Sequence, residues 1–177
     1  GIYPLLPDET CHFLAIDFDE GDWQKDISIV RDVCVEHEIP VAVERSRSGA
    51  GGHMWFFFEQ PLLASLARKF GAALLTFSMD RRHEIKFKSY DRFFPSQDTM
   101  PKGGFGNLIA LPFQKAARKE KNSEFVDANF QSYDDQWAFL SSIQRLSQAR
   151  VENLISKLCQ GDELGVLKAD EEEMQKP

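Results

Sequence analysis

"CHFLAIDFDEGDWQ", residues 11–24, is the stretch from which the rest of the chain is read. Leu14, Ile16 and Phe18 alternate with Ala15, Asp17 and Asp19, the period-two pattern of a strand with two different faces. One face is wholly apolar. The other ends in two carboxylates at i and i+2. Two ionised carboxylates this close repel each other and lose hydration on burial, so they need a countercharge unless both simply face water at the strand end. A hard divalent cation is one such countercharge, because Mg²⁺ commonly takes one or two carboxylates plus substrate phosphates.

Outward from this strand, "WQKDISIVRDVCVEHE" reads as a helix with Trp23, Ile27, Val30 and Cys34 at helical spacing, closed by Pro40. "PVAVERS" and "HMWFFFE" read as two strands joined by the glycine-rich "RSGAGG". After Pro61, "LLASLARKFGAALLTF" is a second helix. "HEIKFKSY" alternates like a strand and "DRFFPSQDTMPKGGFGN" is a long loop. "LIALPF" reads as a short buried strand, and "DQWAFLSSIQRL" and "RVENLISKL" as two helices. This order predicts an α+β fold: an RRM-like, mixed or antiparallel sheet as core, with a small packed αβ module and C-terminal helices. The expected division is 1–147 for the main domain and 148–177 for a C-terminal helix and acidic tail.

The chain has 177 residues, 42% of them hydrophobic, enough for one domain with a real core. No run approaches the roughly 20 apolar residues of a membrane helix, and "GIYPLLPDET" has no basic segment leading into an apolar one. It opens without Met, so we expect a piece of a larger polypeptide. Cys11, Cys34 and Cys159 are widely spaced and form no CxxC, which argues for reduced thiols in a cytoplasmic setting and against a disulfide framework or a Zn site. The net charge of −7 is unevenly spread: Arg81 to Lys121 holds ten Lys/Arg against four acids. A basic middle beside an acidic strand end suits a phosphate substrate handled through metal ions, although solvated surface charge gives the same count.

"SRSGAGGHMWFF" carries the second set of candidate groups. Gly49, Gly51 and Gly52 free the backbone to bring N–H groups close to phosphate oxygens, and Ser48 and His53 add donors, with Arg45 and Arg47 nearby. It is neither a Walker loop nor a Rossmann fingerprint, since no GK[ST] follows and the glycines join strand to strand. The third is an acid in "SYDRFFPSQDTMPKGGFGN". Asp98, ahead of a glycine-rich turn, is the preferred partner for Asp17 and Asp19 in a two-metal pocket. Asp91 competes for that role, with a salt bridge to Arg92 as its plainer explanation. No GxSxG elbow is present, and the row from Trp55 to Phe58 reads as core, not as a base-stacking platform.

These motifs in this order resemble the archaeo-eukaryotic primase superfamily. The wording of "ERSRSGAGGHMWFFFE", "SYDRFFPSQDTMPKGGFGNLIALPFQ" and "DQWAFLS" is closest to the primase-polymerase domains of TOTE conflict systems and their CRISPR-associated relatives, from about Tyr3 to Ser147. The resemblance implies a template-directed nucleotidyltransferase, a DNA primase or polymerase acting in replication-type synthesis. Asp17, Asp19 and Asp98 would be its metal ligands and catalytic acids, with two Mg²⁺ or Mn²⁺ ions as cofactors. It further implies nucleotide contacts from Arg47, Ser48, Gly49, Gly52, His53, Lys102 and Asn107, and as partners nucleoside triphosphates and a single-stranded or primed DNA or RNA template. Where many relatives carry an Arg after the third acid, this chain reads Asn107-Leu-Ile-Ala-Leu-Pro112, which leaves Lys102 and Lys115 to meet the triphosphate. A non-catalytic RRM-like binding module and a metal-dependent nuclease are the competing expectations.

Overall fold

The computed structural model describes residues 1–83 and 87–159. Strand β1 (Thr10–Asp19) leads into helix α1 (Trp23–Glu36), then β2 (Ala42–Arg45), β3 (Gly51–Leu63), α2 (Ala64–Arg81) and β4 (Tyr90–Phe94). A 3₁₀ turn at Ala117–Glu120, the two-residue β5 (Glu124–Phe125), α3 (Gln136–Ser142) and α4 (Gln148–Cys159) follow. The strands lie in the order β4-β1-β3-β2-β5 with antiparallel neighbours throughout. The first four therefore interleave two split β-α-β units, and the fold is α+β as the sequence pattern predicts.

The alternation in β1 sorts its side chains as expected. Leu14, Ile16 and Phe18 join Val43, Met54, Phe56 and Phe93 under α1 and α2, in a core that Val151, Leu154 and Leu158 of α4 complete. Each such side chain contributes about 1.5–3 kcal/mol on full burial. The opposite face forms a second cluster of Phe13, Ala15, Ala42, Trp55, Phe94 and Phe125, covered by Ile109, Phe113, Tyr133 and Phe139 from the chain between β4 and α4. That cover stops short of the end of β1, where Asp19 is exposed. Trp55, Phe56 and Phe58 are buried, so most of the aromatic row is core, as its pattern suggests.

Three elements differ from expectation. The strand beside β1 is Tyr90–Phe94, the head of the expected loop. Of the expected strand "HEIKFKSY", residues 84–86 lie outside the described residues and Lys88 and Ser89 form a turn. Tyr90–Phe94 also supplies one ring to each face of the sheet, Phe93 to the helix side and Phe94 to the other. "LIALPF" contributes a single bridge, Ile109 to Ile2. The helix expected through "DQWAFLSSIQRL" ends at Ser142, because Leu146 turns back to donate its N–H to the Phe57 carbonyl at 2.8 Å. The acidic tail, residues 160–177, lies outside the described residues.

Candidate active site

Strand register builds the site. Glu44 on β2 lies opposite His53 on β3, His53 opposite Asp17 on β1, and Asp17 opposite Arg92 on β4. Four strands thus present one transverse row of alternating charge on the face that carries Ala15 and Trp55. His53 bridges its two neighbours, with Nδ1 3.0 Å from Glu44 Oε2 and Nε2 3.2 Å from Asp17 Oδ1. Burial alone would push His53 down, but the flanking carboxylates of Asp17 and Glu44 outweigh it and raise its pKa to about 10. It is therefore an imidazolium at neutral pH. Trp55 Nε1–H donates to the same Glu44 oxygen at 2.8 Å, which pins the buried carboxylate.

The third acid arrives through a bulge. On the β4 side, Asp17 pairs with Arg92 but Phe18 pairs with Tyr90, so Asp91 is an extra residue and escapes strict alternation. One carboxylate oxygen from each of Asp17, Asp19 and Asp91 lies within 4.8 Å of the other two. Asp98 is placed elsewhere: it accepts a hydrogen bond from the buried guanidinium of Arg68 on α2. The acid that the geometry brings to Asp17 and Asp19 is Asp91, and its ion pair with Arg92 (Nε to Oδ2, 2.7 Å) coexists with that placement. Two observations fit these oxygens to a hard divalent ion. Asp17 Oδ1 is buried and, beyond its ionic approach to His53, has no well-aligned hydrogen bond. Desolvation, followed by the charges of Asp17 and Asp91, raises the pKa of Asp19 despite the opposing charge of His53, so burial and repulsion outweigh that cation at Asp19.

The end of β1 is held from behind. Asp19 N–H donates to the Ser89 carbonyl at 2.7 Å, and Ser89 Oγ donates to the buried Asp26 of α1 at 2.5 Å. On the other side β3 begins at Gly51, opposite Asp19. A Cβ there would strike the Phe18 carbonyl and lie 2.8 Å from Asp19 Oδ1, so only glycine permits this approach. The turn before it is tight: Gly49 has φ +79°, and the Ala50 N–H donates to Ser48 Oγ at 3.2 Å. Gly52 packs on Trp23 and Ile27, and Arg47 and Ser48 are exposed at the tip. Behind this turn, Arg45 donates to the carbonyls of Lys121 and Phe130. Lys102 and Lys115 are exposed, and Asn107 donates to Ser96 Oγ at 2.7 Å.

An acidic cluster at a strand end, a glycine-rich hairpin and a half-buried histidine between them now share one sheet face. Residues 1–154 match the family model described as the archaeo-eukaryotic primase domain of the TOTE conflict system. The chain belongs to that family. No curated protein sequence matches it. At the level of the family, membership supports a nucleotidyltransferase-type enzyme and suggests nucleotide and nucleic-acid substrates, and the chain's three aspartates could hold a metal ion. No helix among the described residues is long and apolar enough to cross a membrane.

Glu44 escaped the sequence reading, and Arg92 entered it only as the salt-bridge partner of Asp91, a pair the structure contains. Glu44 was within reach of it, since counting outward from the hairpin turn pairs Arg45 with Gly52 and therefore Glu44 with His53. The approach of Asp91 to Asp17 depends on a bulge, which has no sequence signal here.

Proposed function

We propose that this domain is a template-directed primase-polymerase that adds nucleotides to a 3′-hydroxyl, with Asp17, Asp19 and Asp91 as its metal ligands. The observation that supports this best is the convergence of three carboxylates from two strands beside a donor-rich turn. Two bound divalent ions, Mg²⁺ or Mn²⁺, supply activation of the attacking hydroxyl and neutralisation of charge on the leaving pyrophosphate. The chain's own residues do the rest. Asp17, half-buried and oriented by strand pairing, presents a buried Oδ1 with spare accepting capacity. His53, cationic at neutral pH, donates from Nε2 toward a phosphate oxygen that arrives beside Asp17. The Gly49–Gly52 turn brings backbone and Ser48 donors to the same end of the sheet, while Arg47 adds charge.

The Arg92 guanidinium, hydrogen-bonded to Asp91 and drawn up by the charges of Asp17 and Asp19, is a second cation beside His53 at the acidic cluster and is assigned to the triphosphate. It takes the part first expected of Lys102 and Lys115. The basic run Lys115, Arg118, Lys119 and Lys121 would follow the template backbone, so template affinity falls with added salt. Binding as a bare RRM-like sheet is disfavoured, because the second sheet face is covered over its aromatic half and acidic at its open end. The test is extension of a primed template with Mg²⁺ or Mn²⁺. The double variant Asp17→Asn, Asp19→Asn is expected to incorporate no nucleotide, and undiminished incorporation would end the proposal. Shortening of labelled single-stranded DNA without nucleotides would instead identify a nuclease.

A further inference from the structure

Glu44 is a carboxylate with 2% of its surface exposed, and its Oε2 receives two donors, His53 Nδ1–H at 3.0 Å and Trp55 Nε1–H at 2.8 Å. A buried carboxylate that only needed satisfying could take any pair of donors. This one takes the far nitrogen of the histidine whose near nitrogen stands 3.2 Å from Asp17 Oδ1. Once the strand fixes its Cβ, an imidazole ring still turns about two torsions, χ1 and χ2, and a bond at Nδ1 restricts both. Trp55, itself buried and packed against Phe13 and Phe57, anchors Glu44 in turn.

We infer that Glu44 is a positioning residue, which, held by Trp55, fixes the His53 ring so that the Nε2 donor points at the place where the phosphate of an incoming nucleoside triphosphate is received. The inference rests on the proposed nucleotidyl transfer and deepens it. Glu44 touches neither substrate nor ion, and acts through His53. Partners of this kind, standing behind a functional histidine, typically change affinity or activity about 10- to 100-fold when lost. A merely structural Glu44 would instead change folding stability and leave nucleotide affinity alone.

The experiment compares Glu44→Gln with Glu44→Ala in the whole chain, measuring dATP and ATP binding by calorimetry with Ca²⁺ as the ion, and the imidazole N–H signals by ¹⁵N NMR. Glutamine keeps one oxygen able to accept both donors, so Glu44→Gln is expected to bind nucleotide within about threefold of wild type and to retain the protected Nδ1–H signal. Glu44→Ala is expected to lose that signal and weaken nucleotide binding about 10- to 100-fold. Combined with His53→Ala it should add little further loss, since both changes then remove the same interaction. Trp55→Phe, which deletes only the anchoring donor, gives the same direction with smaller size and serves if Glu44→Ala does not fold. The inference is overturned if folded Glu44→Ala, or Trp55→Phe in its place, binds nucleotide as wild type does, or if the Glu44→Ala loss adds fully to that of His53→Ala. A wild type that binds neither nucleotide overturns the proposed function along with it, which separates the two failures.

Discussion

Replacing Asp91 and Asp98 by alanine, one at a time, pits the acid that strand register delivers against the acid that the order of motifs suggested. Asp98 pairs with Arg68, whose surface is only 8% exposed, while the Asp98 side chain is about half exposed. A charge-assisted bond in that setting is worth about 1–2 kcal/mol after discounting for solvent. For a chain of this size that is about 2–8 °C in Tm. Asp98→Ala should therefore melt earlier and bind Mn²⁺ normally. Asp91→Ala removes one of three mutually repelling carboxylates and a largely exposed ion pair, so metal-free stability should stay within about 2 °C of wild type. Its metal response should collapse. Saturation at 100 times Kd stabilises the wild type by about 2.7 kcal/mol, or about 5–11 °C. A variant whose affinity drops at least 100-fold loses most of that gain, since even partners behind a ligand cost 10- to 100-fold. Thermal melts with EDTA and with Mn²⁺, beside calorimetric titration, read both quantities. A Mn²⁺ response that survives Asp91→Ala but vanishes in Asp98→Ala refutes the assignment of the third acid.

Three further outcomes follow from the same geometry. Gly51→Ala forces a Cβ against the Phe18 carbonyl and Asp19 Oδ1, so it should cost about 1–3 kcal/mol and weaken Mn²⁺ binding, whereas Gly103→Ala, with open space around it, should leave Mn²⁺ binding unchanged. In EDTA, His53 has a folded pKa of about 10 against an unfolded 6.5, a raised value. Its contribution is thus complete below about pH 6.5 and is lost as pH rises through about 10, so Tm should fall between pH 7 and 10 with a slope that His53→Gln flattens. Arg92→Ala should move two affinities in opposite directions, measured by titration: Mn²⁺ alone binds up to about fivefold more tightly, because a half-exposed competing cation worth at most about 1 kcal/mol has gone, while nucleotide binds more weakly.

The parts of this protein that were legible in its sequence are those whose pattern and pairing are local. β1 declares itself by alternation, α1 and α2 by helical spacing, and the β2–β3 hairpin by its glycines, so Asp17, Asp19 and His53 could be named before their neighbours were known. A hairpin also fixes its own register, which is why Glu44 could have been found by counting. The site's other half comes from β4, a strand with a long connection on both sides. "HEIKFKSY" and "YDRFF" both read as strand, and nothing local says which of them meets the free edge of β1. That choice depends on satisfying both faces of the sheet at once, as Phe93 and Phe94 do.

The bulge at Asp91 compounds the difficulty, because strict alternation would place Asp91 on the face opposite Arg92 and away from Asp17. One extra residue reverses that outcome and sets an acid and a base side by side at the open end of β1. A regular β4 would have left Asp17 and Asp19 beside His53 and Arg92, two acids facing two cations and with less use for an ion. By adding a third carboxylate, the irregularity turns a strand end that its own charges could satisfy into one whose oxygens are spaced to hold a cation.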